Sequence, residues 1–159
     1  VALLAFLAPV AYELWWFWQL FKFTRREGFP RARAFWWILV PFYGWYVIYQ
    51  QLDDLKRQLA QLASPIAFSA VGATWLIIFS EGFGSASNRT DGVASLATFV
   101  GSGVLIAAGA FLVQRAANAY QEARYPSRPM QGMTTGEVIA TVLGLLLFIV
   151  VIIGALIPA

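Results

Sequence analysis

The sequence predicts an all-α polytopic membrane protein with four transmembrane helices and one re-entrant or interfacial broken helix. Three observations predict it. The 159 residues are 60% hydrophobic and 12% charged, whereas a soluble domain carries about 25% charged residues. Several apolar runs reach or approach the roughly twenty residues that cross a bilayer. The Lys and Arg residues also favour one side, once a short broken segment is allowed to return to the side it came from.

Segment 1 covers residues 2–21. Trp15, Trp16 and Trp18 gather towards its C-terminal end, and Lys22, Arg25 and Arg26 follow. Aromatic rings at an interface followed by cations mark an exit to the cytoplasm. The segment lacks the basic start and small-residue cleavage pattern of a secretory signal, and it contains Glu13, so it is expected to remain as a span. The chain begins at Val1, so either an initiating Met is processed or residues precede it.

Residues 22–33 form a basic hinge in which Lys22, Arg25, Arg26, Arg31 and Arg33 outweigh Glu27, and Gly28 and Pro30 interrupt the helix. Residues 34–49 are too short for a full span and contain Pro41 and Gly44. Proline removes a backbone donor and glycine loosens the chain. Such a break is tolerated at membrane depth only where it is buried in protein or faces water. Residues 50–63 read as an amphipathic helix with Leu52, Leu55, Leu59 and Leu62 on one stripe. That helix is expected on the bilayer surface or docked on a partner subunit, with Asp53 and Arg57 paired at i, i+4.

Residues 66–80 form the next span, with Ser64-Pro65 as its expected N-terminal cap. A polar loop over 81–92 follows, where Asn88-Arg89-Thr90 matches a glycosylation acceptor, a pattern common by chance. Residues 93–113 form a span rich in small residues, including Ala97, Gly101, Gly103, Ala107 and Gly109, whose spacing lets helices approach closely. Gln114, Arg115 and Asn118 continue it as a polar stripe, read as a solvated extension or as a clamp for the hairpin or a lipid phosphate. The last span covers 138–157 and carries Gly144; Thr134 and Glu137 have capping-box spacing before it. No repeat or second domain is visible, so residues 1–159 read as one membrane domain.

Five alternating spans, the alternative architecture, would divide the Lys and Arg residues six against five, which is no bias. If 34–49 returns to its own side, the hinge contributes five, 50–63 two and 114–136 three. Those ten then share the cytoplasmic side, opposite Arg89 alone. This is a strong positive-inside pattern. It puts both termini on the extracytoplasmic side of what is expected to be a bacterial inner membrane.

With no Cys and no His, disulfides, thiolate chemistry and histidine ligation of metal, haem or chlorin are excluded. No nucleophile, metal or phosphate-loop motif is present, and the adjacent Asp53 and Asp54 point to different helix faces, so no enzyme is expected. Glu13 is the acidic residue inside a predicted span, about 13 Å above Lys22. It reads as a proton or ion site, or as a group hydrogen-bonded within the bundle. The hinge cations fit anionic lipid headgroups. Trp15, Trp16, Trp18, Trp36, Trp37 and Trp45, with Phe17, Phe35, Phe42, Tyr43, Tyr46 and Tyr49, form an aromatic set larger than two interfacial belts need. They read as belt and packing, or as a surface for lipid tails, quinone, carotenoid, chlorin or another membrane subunit. Nucleic acid is not an expected partner.

These motifs resemble a family of uncharacterised bacterial multi-pass membrane proteins. That family has a YELYWFYKNW-like signature at the end of its first span, here Tyr12 to Lys22. An FWRAIF-like stretch and a YSLF-like stretch follow, here Arg33 to Ile38 and Tyr43 to Tyr46. A VQxxIN pattern comes next, here Val113-Gln114 and Asn118, and then a TxGE-like start to a glycine-bearing last span, here Thr135-Gly136-Glu137 and Gly144. The chain departs from the family at Gln19-Leu20-Phe21, where the family is more polar. The resemblance implies the architecture and no activity. The expected function is a non-catalytic accessory or scaffold subunit of a larger membrane complex, a photosynthetic or respiratory one in the first instance. The alternative is a small channel or transporter using the re-entrant segment and Glu13.

Overall fold

The structure, a computed structural model, describes residues 2–90 and 92–127, with side chains from Leu14 onward. The last predicted span with Gly144, and the side chain of Glu13, lie outside the described residues. Helices α1 (Ala2–Arg26), α2 (Tyr43–Gln61), α3 (Ala70–Ser87) and α4 (Gly92–Arg124) account for the regular structure, with a 3₁₀ turn over Phe35–Leu39. No strand occurs among the described residues. Where the sequence reads as one domain, the chain divides into two compact units. One is Val1–Leu20 with Gln131–Ala159, and the other is Phe21–Met130.

In the first unit the described part is the N-terminal portion of α1. Trp16 and Phe17 meet edge to face with centroids 5.0 Å apart, and Trp18 is exposed.

The second unit is built on the α3–α4 pair, its most extensive helix contact. Small residues let the two helices approach. A Cβ on Gly109 would stand 3.3 Å from Ile77 Cγ1, and one on Gly101 would stand 3.1 Å from Phe83 Cδ1. Ser102 Oγ donates to the Ser80 carbonyl at 2.7 Å and Ser95 Oγ to the Ser87 carbonyl at 2.8 Å. Of the small residues read from the sequence, Gly101 and Gly109 are thus used within the chain.

Several boundaries differ from expectation: α1 runs on to Arg26, into the expected hinge, and α2 is continuous through Tyr49 and Gln50, where a broken segment and a separate amphipathic helix were expected. Ser64-Pro65 ends α2 instead of starting α3. Ala63 is left-handed at φ 49, and the Ser64 amide bonds the Leu59 carbonyl at 3.1 Å. This is a helix-terminating arrangement that proline commonly follows. The cap of α3 is Ser69, whose Oγ accepts from the Gly72 amide at 3.1 Å. At its other end α3 continues through Glu81 to Ser87, where a loop was expected, because packing on α4 outweighs the weak helix preference of the glycines. Finally, α4 continues past Val113 to Arg124, about 16 Å beyond its apolar part.

The polar ends of these elements share one core. Phe29 of the hinge, Leu55 and Leu59 of α2, and Ala116, Ala119 and Tyr120 of α4 are buried together. Phe23, Ala32, Leu62, Ile66 and Phe68 pack around them. Phe23, Phe29 and Tyr120 meet edge to face, with centroids 5.4–5.8 Å apart. The leucine stripe of 50–63 thus faces the protein's own interior, where a bilayer surface or a partner subunit was expected.

Candidate functional site

Between the hinge and α2 the chain folds back on itself. The 3₁₀ turn forms one arm, the first turns of α2 form the other, and Val40–Phe42 is the apex. Pro41 cannot continue the helical bonding. Phe42 takes φ 59, ψ −41, and the Tyr43 amide bonds the Pro41 carbonyl at 2.6 Å. That is a γ-turn of the strained hand, and a non-glycine residue held there costs about 1–3 kcal/mol. The Gly44 amide closes the reversal on the Val40 carbonyl at 2.8 Å.

Gly44 has a different role from the flexibility expected of it. It is buried in α2 and lies against the backbone of Ile38. A Cβ there would collide with the Ile38 carbonyl oxygen and stand 2.9 Å from its carbon. Glycine is what lets the two arms touch backbone to backbone. Rings crowd the apex: Trp37 meets Tyr43 at 5.5 Å and Phe42 meets Trp45 at 5.6 Å, both edge to face. Their outer surfaces are open. Phe42 is 78% exposed, Trp36 69% and Leu39 59%.

The foot of the hairpin is clamped by charge. Arg31 donates from Nε to Asp54 Oδ1 at 2.8 Å and from Nη2 to Asp53 Oδ2 at 2.7 Å, and its backbone amide bonds Asp54 Oδ2 at 2.9 Å. Arg57 Nε bonds Asp53 Oδ2 at 3.0 Å, the i, i+4 pair expected. Gln51 Nε2 donates to the Arg31 carbonyl at 3.0 Å. Adjacent carboxylates that were expected to diverge are drawn onto one guanidinium, because Arg31 presents donors along two edges. Arg31, grouped above with lipid-facing cations, is used inside the fold, while Lys22, Arg25, Arg26 and Arg33 are exposed. Hydrogen bonding to Asp54 first, and then to Asp53, strengthens the charged form of Arg31. The hydrogen bond from Arg31 holds the Asp53 carboxyl below its ordinary value.

Partway up α2, Trp45 Nε1 donates to Glu81 Oε2 at 3.0 Å. This contact joins the hairpin to α3, and the sequence reading missed it. Glu81 had been assigned to a loop; the signal was the apolar spacing of Ile77, Ile78 and Phe83 continuing around it. Glu13, the carboxylate singled out from sequence, lies in α1 with its side chain outside the described residues. Trp15 and Trp16 are half-buried.

On α4, Gln114 Nε2 bonds Asn118 Oδ1 at 2.9 Å. The polar stripe therefore pairs with itself, and Arg115 is exposed beside it. Glu27, also missed, accepts from Tyr125 at 3.0 Å and from Tyr120 at 3.3 Å, tying the hinge to α4. No group of three or more acidic side chains able to hold a metal occurs among the described residues.

One helix among the described residues, α4, is long and apolar enough to cross a membrane, and 11% of its apolar stretch is buried. No family model matches the chain, and neither a curated protein nor a solved structure matches it.

Proposed function

We propose that this chain is a multi-pass inner-membrane protein with four spans and the 34–49 hairpin re-entering from the cytoplasmic side. We propose further that it serves as a non-catalytic accessory or scaffold subunit of a larger membrane complex. The carrying observation is the hairpin apex, where a strained γ-turn holds Trp36, Trp37 and Phe42 outward. Strain persists where surrounding structure and function require it, and exposed aromatic anchors are what partner surfaces are built from.

The topology has independent support. The hinge, the C-terminal half of α2 and the extension of α4 pack on one core and are joined by Arg31–Asp54 and Tyr125–Glu27. This joining supports a common side for these segments, in keeping with the positive-inside count. From Asp54 to Tyr43 is about 16 Å along α2, roughly half a hydrocarbon core. Trp75, Phe79 and Phe83 on α3, and Val93, Val104 and Phe111 on α4, are exposed. An apolar outer surface over both helices of a hairpin suits lipid. Lipid, quinone, carotenoid or chlorin contacts at the aromatic surface would be made without histidine.

The test is purification from the native membrane in mild detergent, with co-eluting proteins and small molecules identified by mass spectrometry and absorbance. A stoichiometric partner that is lost in the W36A/W37A variant supports the subunit reading. A monodisperse protein that co-purifies with nothing overturns it. The second reading, a small channel or transporter, is favoured by the Trp45–Glu81 contact, since a broken helix beside an intramembrane carboxylate is a transport arrangement. It requires flux in proteoliposomes that E81Q or E13Q abolishes.

A further inference from the structure

We infer that Glu81 is a proton-binding site within the membrane, and that the re-entrant hairpin reads its charge through Trp45. The inference rests on the membrane reading above and names the carboxylate at which it acts. Along α3, Glu81 lies about 18 Å from the Ser69 cap and about 10 Å from the loop at Asn88, inside the hydrocarbon if α3 spans. Its side chain is exposed on the helix surface, and the indole of Trp45 bonds one of its oxygens at 3.0 Å.

Other charges are distant in sequence on every element packed against α3. Residues 92–113 of α4 carry no titratable group, and α3 itself carries none besides Glu81. On α2, Tyr43, Tyr46 and Tyr49 precede the Asp53–Asp54 pair, which is already engaged by Arg31. An ionised carboxylate so placed has an indole to stabilise it and no cation from α2, α3 or α4 at its depth. In hydrocarbon such a group takes up a proton readily.

The hairpin is built to respond. Its arms touch at Gly44 and Ile38 and its apex is closed by the γ-turn at Phe42, contacts through which a displacement of one arm would be carried to the other. Its foot is held by Arg31, and partway along it Trp45 ties it to α3. A charge-assisted hydrogen bond is about twice as strong as a neutral one. Ionised Glu81 therefore draws Trp45 and the hairpin onto α3. A proton taken up by the carboxylate weakens that bond and lets the apex swing away.

The chain has no cysteine, so a nitroxide on L39C reports the apex alone. The experiment places the full chain in lipid nanodiscs and measures collision of the label with a water-soluble nickel chelate. Readings are taken across about pH 4 to 9, the window in which protein carboxylates titrate. A sigmoidal rise in accessibility as pH falls is expected, following the weaker bond of the neutral carboxyl, and it should be absent in E81Q and in W45F. In parallel, dicyclohexylcarbodiimide, which adds to protonated carboxyls in apolar surroundings, should modify Glu81 in the unmutated sequence, less as pH rises. A pH-independent label, or a transition that survives in E81Q, overturns the inference, as does carbodiimide labelling that does not vary with pH. Extraction of the chain from membranes by alkaline carbonate would instead overturn the membrane reading on which the inference stands.

Discussion

Gly44→Ala should open the hairpin without unfolding the rest of the unit. The added methyl meets the Ile38 carbonyl oxygen and stands 2.9 Å from its carbon and 3.1 Å from its Cα. These are backbone atoms and cannot rotate aside as a side-chain tip can. Overpacking of this kind costs about 1–3 kcal/mol. Parting the arms also weakens the Gly44–Val40 hydrogen bond, worth about 1 kcal/mol. Alanine returns up to about 1 kcal/mol through its better helix propensity. The net loss of about 1–3 kcal/mol corresponds to roughly a 5- to 150-fold shift towards the open hairpin. Hydrogen exchange read by mass spectrometry on the protein in nanodiscs should show that acceleration over residues 35–46, with α4 unchanged. The matched control is Gly82→Ala on α3, where an added Cβ meets nothing within 4 Å. That change should be neutral or stabilising by up to about 1 kcal/mol. Equal protection of the hairpin in G44A and the unmutated chain would refute the backbone-contact argument, and so would equal effects of the two alanines.

Other expectations follow from the same contacts. Asp54→Asn removes the charge that accepts three Arg31 donors while keeping its volume, so the foot of the hairpin should lose about 2–3 kcal/mol; thermal unfolding in detergent should show a lower midpoint than for Asp53→Asn, whose carboxylate is more open. Asp53 is held below its ordinary value by Arg31. Its contribution is therefore complete above its unfolded value near about pH 4 and is lost as pH falls through its folded value. Hinge protection should weaken on acidification below about pH 4 and not on raising the pH to about 8. Gly109→Leu drives a large side chain towards Ile77, Leu76 and the Ala73 carbonyl; it should separate α3 from α4 and cost about 1–3 kcal/mol, seen as loss of an engineered disulfide between the two helices.

Periodicity made the helical character and the leucine stripe legible, because Leu52, Leu55 and Leu59 repeat at the helical interval whatever they face. What they face was not legible. A stripe that could lie on a bilayer packs as well on Phe29 and Tyr120, and only the fold brings residues from 29, 55 and 120 together. Local signals also competed. Ser64-Pro65 carries a start pattern and a stop pattern at once, and the left-handed Ala63 decides for the stop. Glu81 followed by two glycines reads as a loop until Gly84 is seen against Ser102 on α4. The pairing of Arg31 with Asp53 and Asp54 spans more than twenty positions, and sequence spacing alone cannot reveal it. The broken character of 34–49 was legible from Pro41, but the backbone contact that Gly44 makes with Ile38 was not, because it joins residues six apart across the turn.

The uninterrupted course of α4 has a mechanical consequence. Gly92–Arg124 is one rod about 50 Å long, and Gly109 is one of the points at which it packs on α3. A tilt of the rod about that point acts as a first-class lever with unequal arms. The arm to Gly92 is about 26 Å and the arm to Tyr120 about 17 Å. A sideways push of about 3 Å at the loop end thus arrives at the aromatic core as about 2 Å in the opposite direction. There it presses on the ring of Phe29 and, through Glu27, on the start of the hinge.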